Sequence, residues 1–201
     1  MRGTAMLGLV ALAVFALPLG AQTIDKANID EDALARRVMA ETVVGVGAPP
    51  NDLCVNAIPI AVPSLTAGTT IGAGDDAPGF CGTTANSPSV WYTVVGTGNT
   101  ITVTTCEDFG GGADYDTKAS VYCDNCGFTC VGGNDDSCPS SALHSTFSFC
   151  SAPSTTYDVM VHGFGGQSGN FDLNVFDDGN PCMPTVQCTP IPVELQSIGI
   201  Q

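Results

Sequence analysis

Four Cys and five Asp lie within residues 114 to 138, "DYDTKASVYCDNCGFTCVGGNDDSC". These residue types support three chemistries: thiolate binding of a soft metal, carboxylate binding of a hard one, and disulfide stapling. Cys123, Cys126, Cys130 and Cys138 have the spacing C-x2-C-x3-C-x7-C. Tetrahedral zinc accepts four thiolates, but structural zinc sites usually pair two short knuckles, and the last gap here is long. Asp114 and Asp116 stand as D-x-D, and Asn134, Asp135 and Asp136 form a second acidic turn one hairpin later. Together they could supply oxygen ligands to Ca²⁺, which takes six to eight of them. The EF-hand register fails, because Lys118 falls at the fifth position of the loop. The competing reading is that Asp and Asn simply make turns through side-chain to backbone bonds, and the sequence leaves the two readings open.

The remaining candidates are fewer. The chain has two His, and neither His144 nor His162 stands in a G-x-S-x-G or H-E-x-x-H motif. Glu41, Glu107 and Glu194 are not placed together by any spacing, so a carboxylate pair for glycoside hydrolysis has no support. A secreted hydrolase is the weakest of three functional readings. Trp91, Tyr115 and Tyr122 are the rings on which a carbohydrate-binding module could stack a sugar.

The start of the chain decides which of these chemistries applies. Arg2, the apolar run from Ala5 to Leu19 and the small residues Gly20-Ala21 form a secretory signal peptide over 1–21. That run is too short for a comfortable membrane span, and no later segment could cross a bilayer. Export turns Cys from metal ligands into staples. All ten, Cys54, Cys81, Cys106, Cys123, Cys126, Cys130, Cys138, Cys150, Cys182 and Cys188, follow the signal and are even in number. Disulfides are expected, and zinc is not. Cys182 and Cys188 are close enough to close a small local loop.

The charge is one-sided. From residue 50 onward Lys118 is the only Lys or Arg, against fifteen Asp and Glu. Phosphate binding needs cations, so nucleic acid and anionic lipid are poor partners. An extracellular protein or polysaccharide surface fits better, with the protein secreted or held at the cell surface.

These residues need a scaffold. Residues 22–48 carry Lys26, Arg36 and Arg37 and no Cys, and Asp30 could cap a helix over "EDALARRVMAET". This is a leader, partly helical or mobile, ended by Pro49-Pro50. From there the chain reads as all-β. Short runs rich in Val, Thr, Tyr and Phe recur at 69–74, 89–95, 99–105, 118–124, 128–132, 145–150, 156–164 and 170–177. Eight short strands over residues 49–178 predict a two-sheet antiparallel β-sandwich, jelly-roll-like, followed by a Pro- and Cys-containing tail over 179–201. "VVGTGNT" reads as a hairpin turn between the second and third runs.

Alternation assigns the faces. Val90, Tyr92, Val94, Ile101, Val103, Val121, Phe147, Phe149, Tyr157, Val159, Val161, Phe171, Leu173 and Val175 are the expected core. Trp91, Asp158, Met160 and His162 fall on the opposite face, Trp91 as an edge cover or an exposed ring.

The stretches "SVWYTVVGTGNTITVTTC", "DYDTKASVYCDNCGFTCVGGNDD" and "STFSFCSAPSTTYDVMVHGFGGQSGNFDLNVFD" resemble a bacterial pre-peptidase C-terminal domain of the cysteine-bearing kind, over about residues 88 to 177. The resemblance implies a jelly-roll-like sandwich that accompanies exported enzymes and aids secretion, localisation or attachment. It also implies a possible calcium role at Asp114, Asp116, Asn134, Asp135 and Asp136. No peptidase domain is present in this sequence, so an accessory role would act in trans. The expected function is a secreted, non-catalytic binding or accessory module with a structural calcium site.

Overall fold

The computed structural model describes residues 47–188. The expected signal peptide, the expected leader helix and the end of the tail lie outside those residues. The described chain is built from strands, with two one-turn 3-10 helices at Cys54–Asn56 and Glu107–Phe109. No described helix is long and apolar enough to cross a membrane.

Ten strands form two sheets. They are β1 (Ile58–Pro59), β2 (Ser64–Thr69), β3 (Ser89–Val95), β4 (Asn99–Thr104), β5 (Gly112–Ala113), β6 (Thr117–Cys123), β7 (Thr129–Asp135), β8 (Thr146–Cys150), β9 (Thr156–Gly163) and β10 (Asn170–Pro181). The first sheet runs β1-β3-β9-β6-β7, and the second runs β2-β10-β4-β8 with β5 beside β10. Every pairing is antiparallel except the short β1–β3 contact. Side chains on the two inner faces alternate with outward ones and interdigitate, as a sandwich requires. Val90, Tyr92, Val94, Val121, Tyr157, Val159 and Val161 from the first sheet meet Ile101, Val103, Phe149, Phe171, Leu173 and Val175 from the second. Each expected core residue lies here, with Phe147 only partly buried.

Three expectations about the scaffold change. "VVGTGNT" is no hairpin, because β3 and β4 belong to different sheets and the turn carries the chain across the sandwich. The 64–69 segment, not 69–74, is the strand; the chain turns at Ile71-Gly72, where Gly72 has φ 80. Cys182 and Cys188 do not join each other. Cys182 bonds Cys150 at the end of β8, and Cys188 bonds Cys123 at the end of β6. The stretch between them therefore bridges one sheet to the other.

All ten Cys are paired, the other three bonds being Cys54–Cys126, Cys81–Cys130 and Cys106–Cys138. Partners lie 32 to 72 residues apart in sequence, so each bond closes a long loop and restricts the unfolded chain strongly. Cys126 and Cys130, only four apart in sequence, each hold a different segment.

Those two segments, 49–57 and 74–85, lie over the outer face of the first sheet. They bury a second cluster of Trp91, Tyr122, Met160, Cys54, Cys81 and Ala85. Asp158 and His162 are buried with it, at 1% and 0% exposure. The outward reading of Trp91, Asp158, Met160 and His162 is thus corrected. They do face away from the main core, but that face is roofed.

Candidate metal centre

The two acidic ends named in the sequence are the two open ends of one hairpin. β6 and β7 pair with Lys118 opposite Asp135, and the chain bends at 124–128. Asp116 immediately precedes β6, and Asp136 follows β7 in a left-handed conformation, φ 57. Antiparallel pairing therefore sets residues twenty positions apart beside each other. Asp116, Asp135 and Asp136 each bring a carboxylate oxygen within 4.8 Å of the other two.

Burial and charge shape this cluster. Oδ1 of Asp116 and Oδ1 of Asp135 are both buried without a hydrogen-bond partner. Burial pushes the Asp116 carboxyl above its ordinary value, and the negative Asp136 and Asp135 add to the push; Lys118 and His144 oppose it. Lys118 is itself buried, and its Nζ lies 3.3 Å from Oδ2 of Asp135. Three carboxylates are thus set against one ammonium.

Two of the five expected metal residues stand apart. Asp114 accepts the Asn170 backbone N–H at 2.7 Å and its side-chain amide at 2.9 Å, anchoring β5 to β10. It is committed to that bridge rather than to the cluster. Asn134 pairs with Ala119, a core residue, so alternation turns its side chain to the interior side of the sheet, away from Asp135.

The proposed sugar platform does not form. Trp91, Tyr122 and Tyr115 are 0%, 1% and 7% exposed and present no open ring face. Trp91 packs against Tyr122 and Phe128, with centroids 5.7 and 5.5 Å apart. Tyr115 belongs to the main core.

The two His have structural partners. Nδ1 of His144 meets Oε2 of Glu107 at 2.9 Å. The Glu107 carboxyl is held below its ordinary value, first by its own backbone N–H and then by His144. Nε2 of His162 lies 3.1 Å from Ser120 Oγ, which superficially resembles a base and its nucleophile. However, no acid orients His162, whose Nδ1 has no partner, and both side chains are 0% exposed. Burial, with Lys118 nearby, pushes the His162 imidazole down to about 3. No substrate can reach this pair.

Lys118 is the residue that sequence reading underused. Its signal was present: it is the sole cation after residue 50, two positions beyond the D-x-D. Only the hairpin register shows that it faces Asp135.

No family model matches the chain. No curated protein matches it either. Among solved structures, it is similar to the pre-peptidase C-terminal domain of a collagenase from Bacillus anthracis, at 16% identity and a TM-score of 0.40 over 59% of this chain and 93% of that one. It is also similar to a periplasmic inhibitor of g-type lysozyme from Aeromonas hydrophila, at 15% identity and a TM-score of 0.38 over 60% of this chain and 94% of that one.

Proposed function

We propose that the protein is a secreted, non-catalytic accessory module in which Asp116, Asp135 and Asp136 hold a structural Ca²⁺. The observation that carries the reading is the convergence of three carboxylates at the open end of the β6–β7 hairpin, two of them with a buried oxygen lacking any partner. An all-oxygen donor set suits a hard cation. Bound there, calcium would neutralise the mutual repulsion of the three carboxylates and tie the start of β6 to the end of β7. These residues would hold it, and the ion would supply charge and cross-strand bridging, not catalysis.

The charge of the surface suits an accessory role toward a partner that is not anionic. Lys118 is the only Lys or Arg among the described residues and is 2% exposed, so that surface offers no cation to an anionic polymer. The partner is then a neutral or basic extracellular surface, protein or polysaccharide. The five disulfides fit an exported protein.

Titration calorimetry of the purified mature protein with Ca²⁺ tests the metal reading. One site is expected in the parent, with binding abolished in Asp116→Ala and Asp135→Ala. Equal heats in parent and variants would refute it.

A further inference from the structure

We propose that the cavity between β7, β8 and the stretch 182–188 binds one neutral aromatic molecule of one or two rings. Its volume is about 250 Å³. β7 and β8 are the edge strands of different sheets, so the sandwich is left unpaired between them. The stretch 182–188 crosses that seam and is pinned at both ends, by Cys150–Cys182 and Cys123–Cys188. Pro184 and Val186 line the cavity from this strap, Val131 from β7, and Phe147, Phe149 and Tyr157 from β8 and β9. Gly132 lets the Phe147 ring lie across the seam, because a Cβ there would run into it. Phe149 and Tyr157 form the floor, at 5% and 1% exposure. Phe147, Val131 and Val186 are only half-buried, so the space is reached from solvent. With both ends of the strap covalently fixed, the site is formed before any guest arrives, which lowers the cost of binding.

The lining selects the guest. The Phe147 and Phe149 rings are nearly parallel, 10° between planes and 6.2 Å between centroids, and Phe149 meets Tyr157 at 4.8 Å. Rings presented in this way favour an aromatic guest, which gains from offset and edge-to-face contact beyond the area it buries. None of the described residues lining the cavity carries a charge, in a chain of net charge -15. A carboxylate guest would enter a negative field and lose its hydration with no cation to pair it, and an ammonium would find no carboxylate there. A neutral guest meets neither cost. Ser148 and Thr185 line the same cavity and are exposed, so their hydroxyls stand at its mouth, where one polar substituent could reach them. Size sets the upper limit: an apolar cavity of about 150 Å³ already takes up benzene, so this one has room for two fused rings. None of Asp116, Asp135 and Asp136 lines it, so the site does not depend on bound calcium.

Fluorine and proton NMR of fluoronaphthalene with the mature, disulfide-intact protein test the proposal. Saturable broadening of the fluorine line is expected, with one molecule bound per chain and nuclear Overhauser contacts from the guest to the Phe149 and Tyr157 rings. Fluoronaphthoate, the same rings bearing a carboxylate, should show no saturable broadening. Val131→Phe fills the cavity from β7 and should abolish binding; the contacts in the parent decide the site even where that variant fails to fold. No saturable broadening in the parent overturns the proposal. So do contacts that run only to exposed rings such as Phe80 and Phe164, which would mean adhesion to the surface. Equal binding of the naphthoate overturns the selection for a neutral guest, and binding retained in a folded Val131→Phe overturns the placement.

Discussion

Trp91 donates its indole N–H to Oδ2 of Asp76 at 2.6 Å, and this bond fastens the 74–85 segment over the outer face of β3. The same strand position is held from another side. Asn51 accepts the Trp91 backbone N–H and donates its side-chain amide to the Trp91 carbonyl, both at 2.9 Å. A ring that alternation placed outside is thereby sealed in.

Removing the acceptor should expose that dependence. Asp76→Ala leaves a buried indole N–H without a partner, at a cost of about 1–3 kcal/mol. Asp76→Asn keeps an oxygen in place and should cost less. Urea unfolding followed by Trp fluorescence measures both; equal stability of Asp76→Ala and parent would contradict the roofed arrangement.

His162 should make the protein sensitive to acid. Its ordinary value is about 6.5, against about 3 in the fold. Above pH 6.5 it is neutral in both states and costs nothing. As pH falls from 6.5 toward 3, the unfolded chain takes up a proton that the folded one refuses. Stability then drops by roughly 1.4 kcal/mol per pH unit. His162→Gln should flatten that part of the stability profile, measured by denaturant unfolding between pH 6 and pH 4. An unchanged slope would show that the buried imidazole is not its source.

Asp158 acts with the opposite sign. Burial pushes its carboxyl up, Asp124 adds to this, and the Cys126 backbone N–H at 2.9 Å opposes it. Its folded value lies above the unfolded one, so its favourable contribution is complete at low pH and is lost as pH rises through the folded value. Asp158→Asn retains an oxygen for Cys126 while removing the buried charge. The variant should gain stability over the parent at pH 7 and lose that advantage at pH 3, read from unfolding midpoints. A variant less stable at pH 7 would show that the charge itself is needed.

Much of this fold was legible, because period-two alternation is a strong signal. β3 matches its sequence run at both ends, and Val90, Tyr92 and Val94 face the core as their spacing requires. Alternation says which side a residue takes, not whether that side is covered. Trp91, Asp158, Met160 and His162 were placed on the correct side, yet 49–57 and 74–85, irregular segments without periodicity, bury them. The hairpin carrying the acidic ends was legible as two runs with Cys126 near the bend. Its register was not, and register is what admits Asp116 and Asp136 to one cluster and sets Lys118 against Asp135. Asp114 looked equivalent to Asp116 by spacing. It differs because β5 lies beside β10 and Asn170 captures it. Disulfide partners were illegible for the same reason: they join segments 32 or more residues apart.

Calcium held by the three carboxylates at the hairpin's open end would stabilise the folded protein. Thermal unfolding of the mature protein in millimolar Ca²⁺, against the same protein in chelator, tests it most directly. A site with a Kd of about 0.01 mM adds about 2.7 kcal/mol at a hundredfold excess of ligand, which is several degrees in Tm for a domain of this size. That rise is expected in the parent and none in Asp135→Ala. A parent that melts at the same temperature in calcium and in chelator would contradict it.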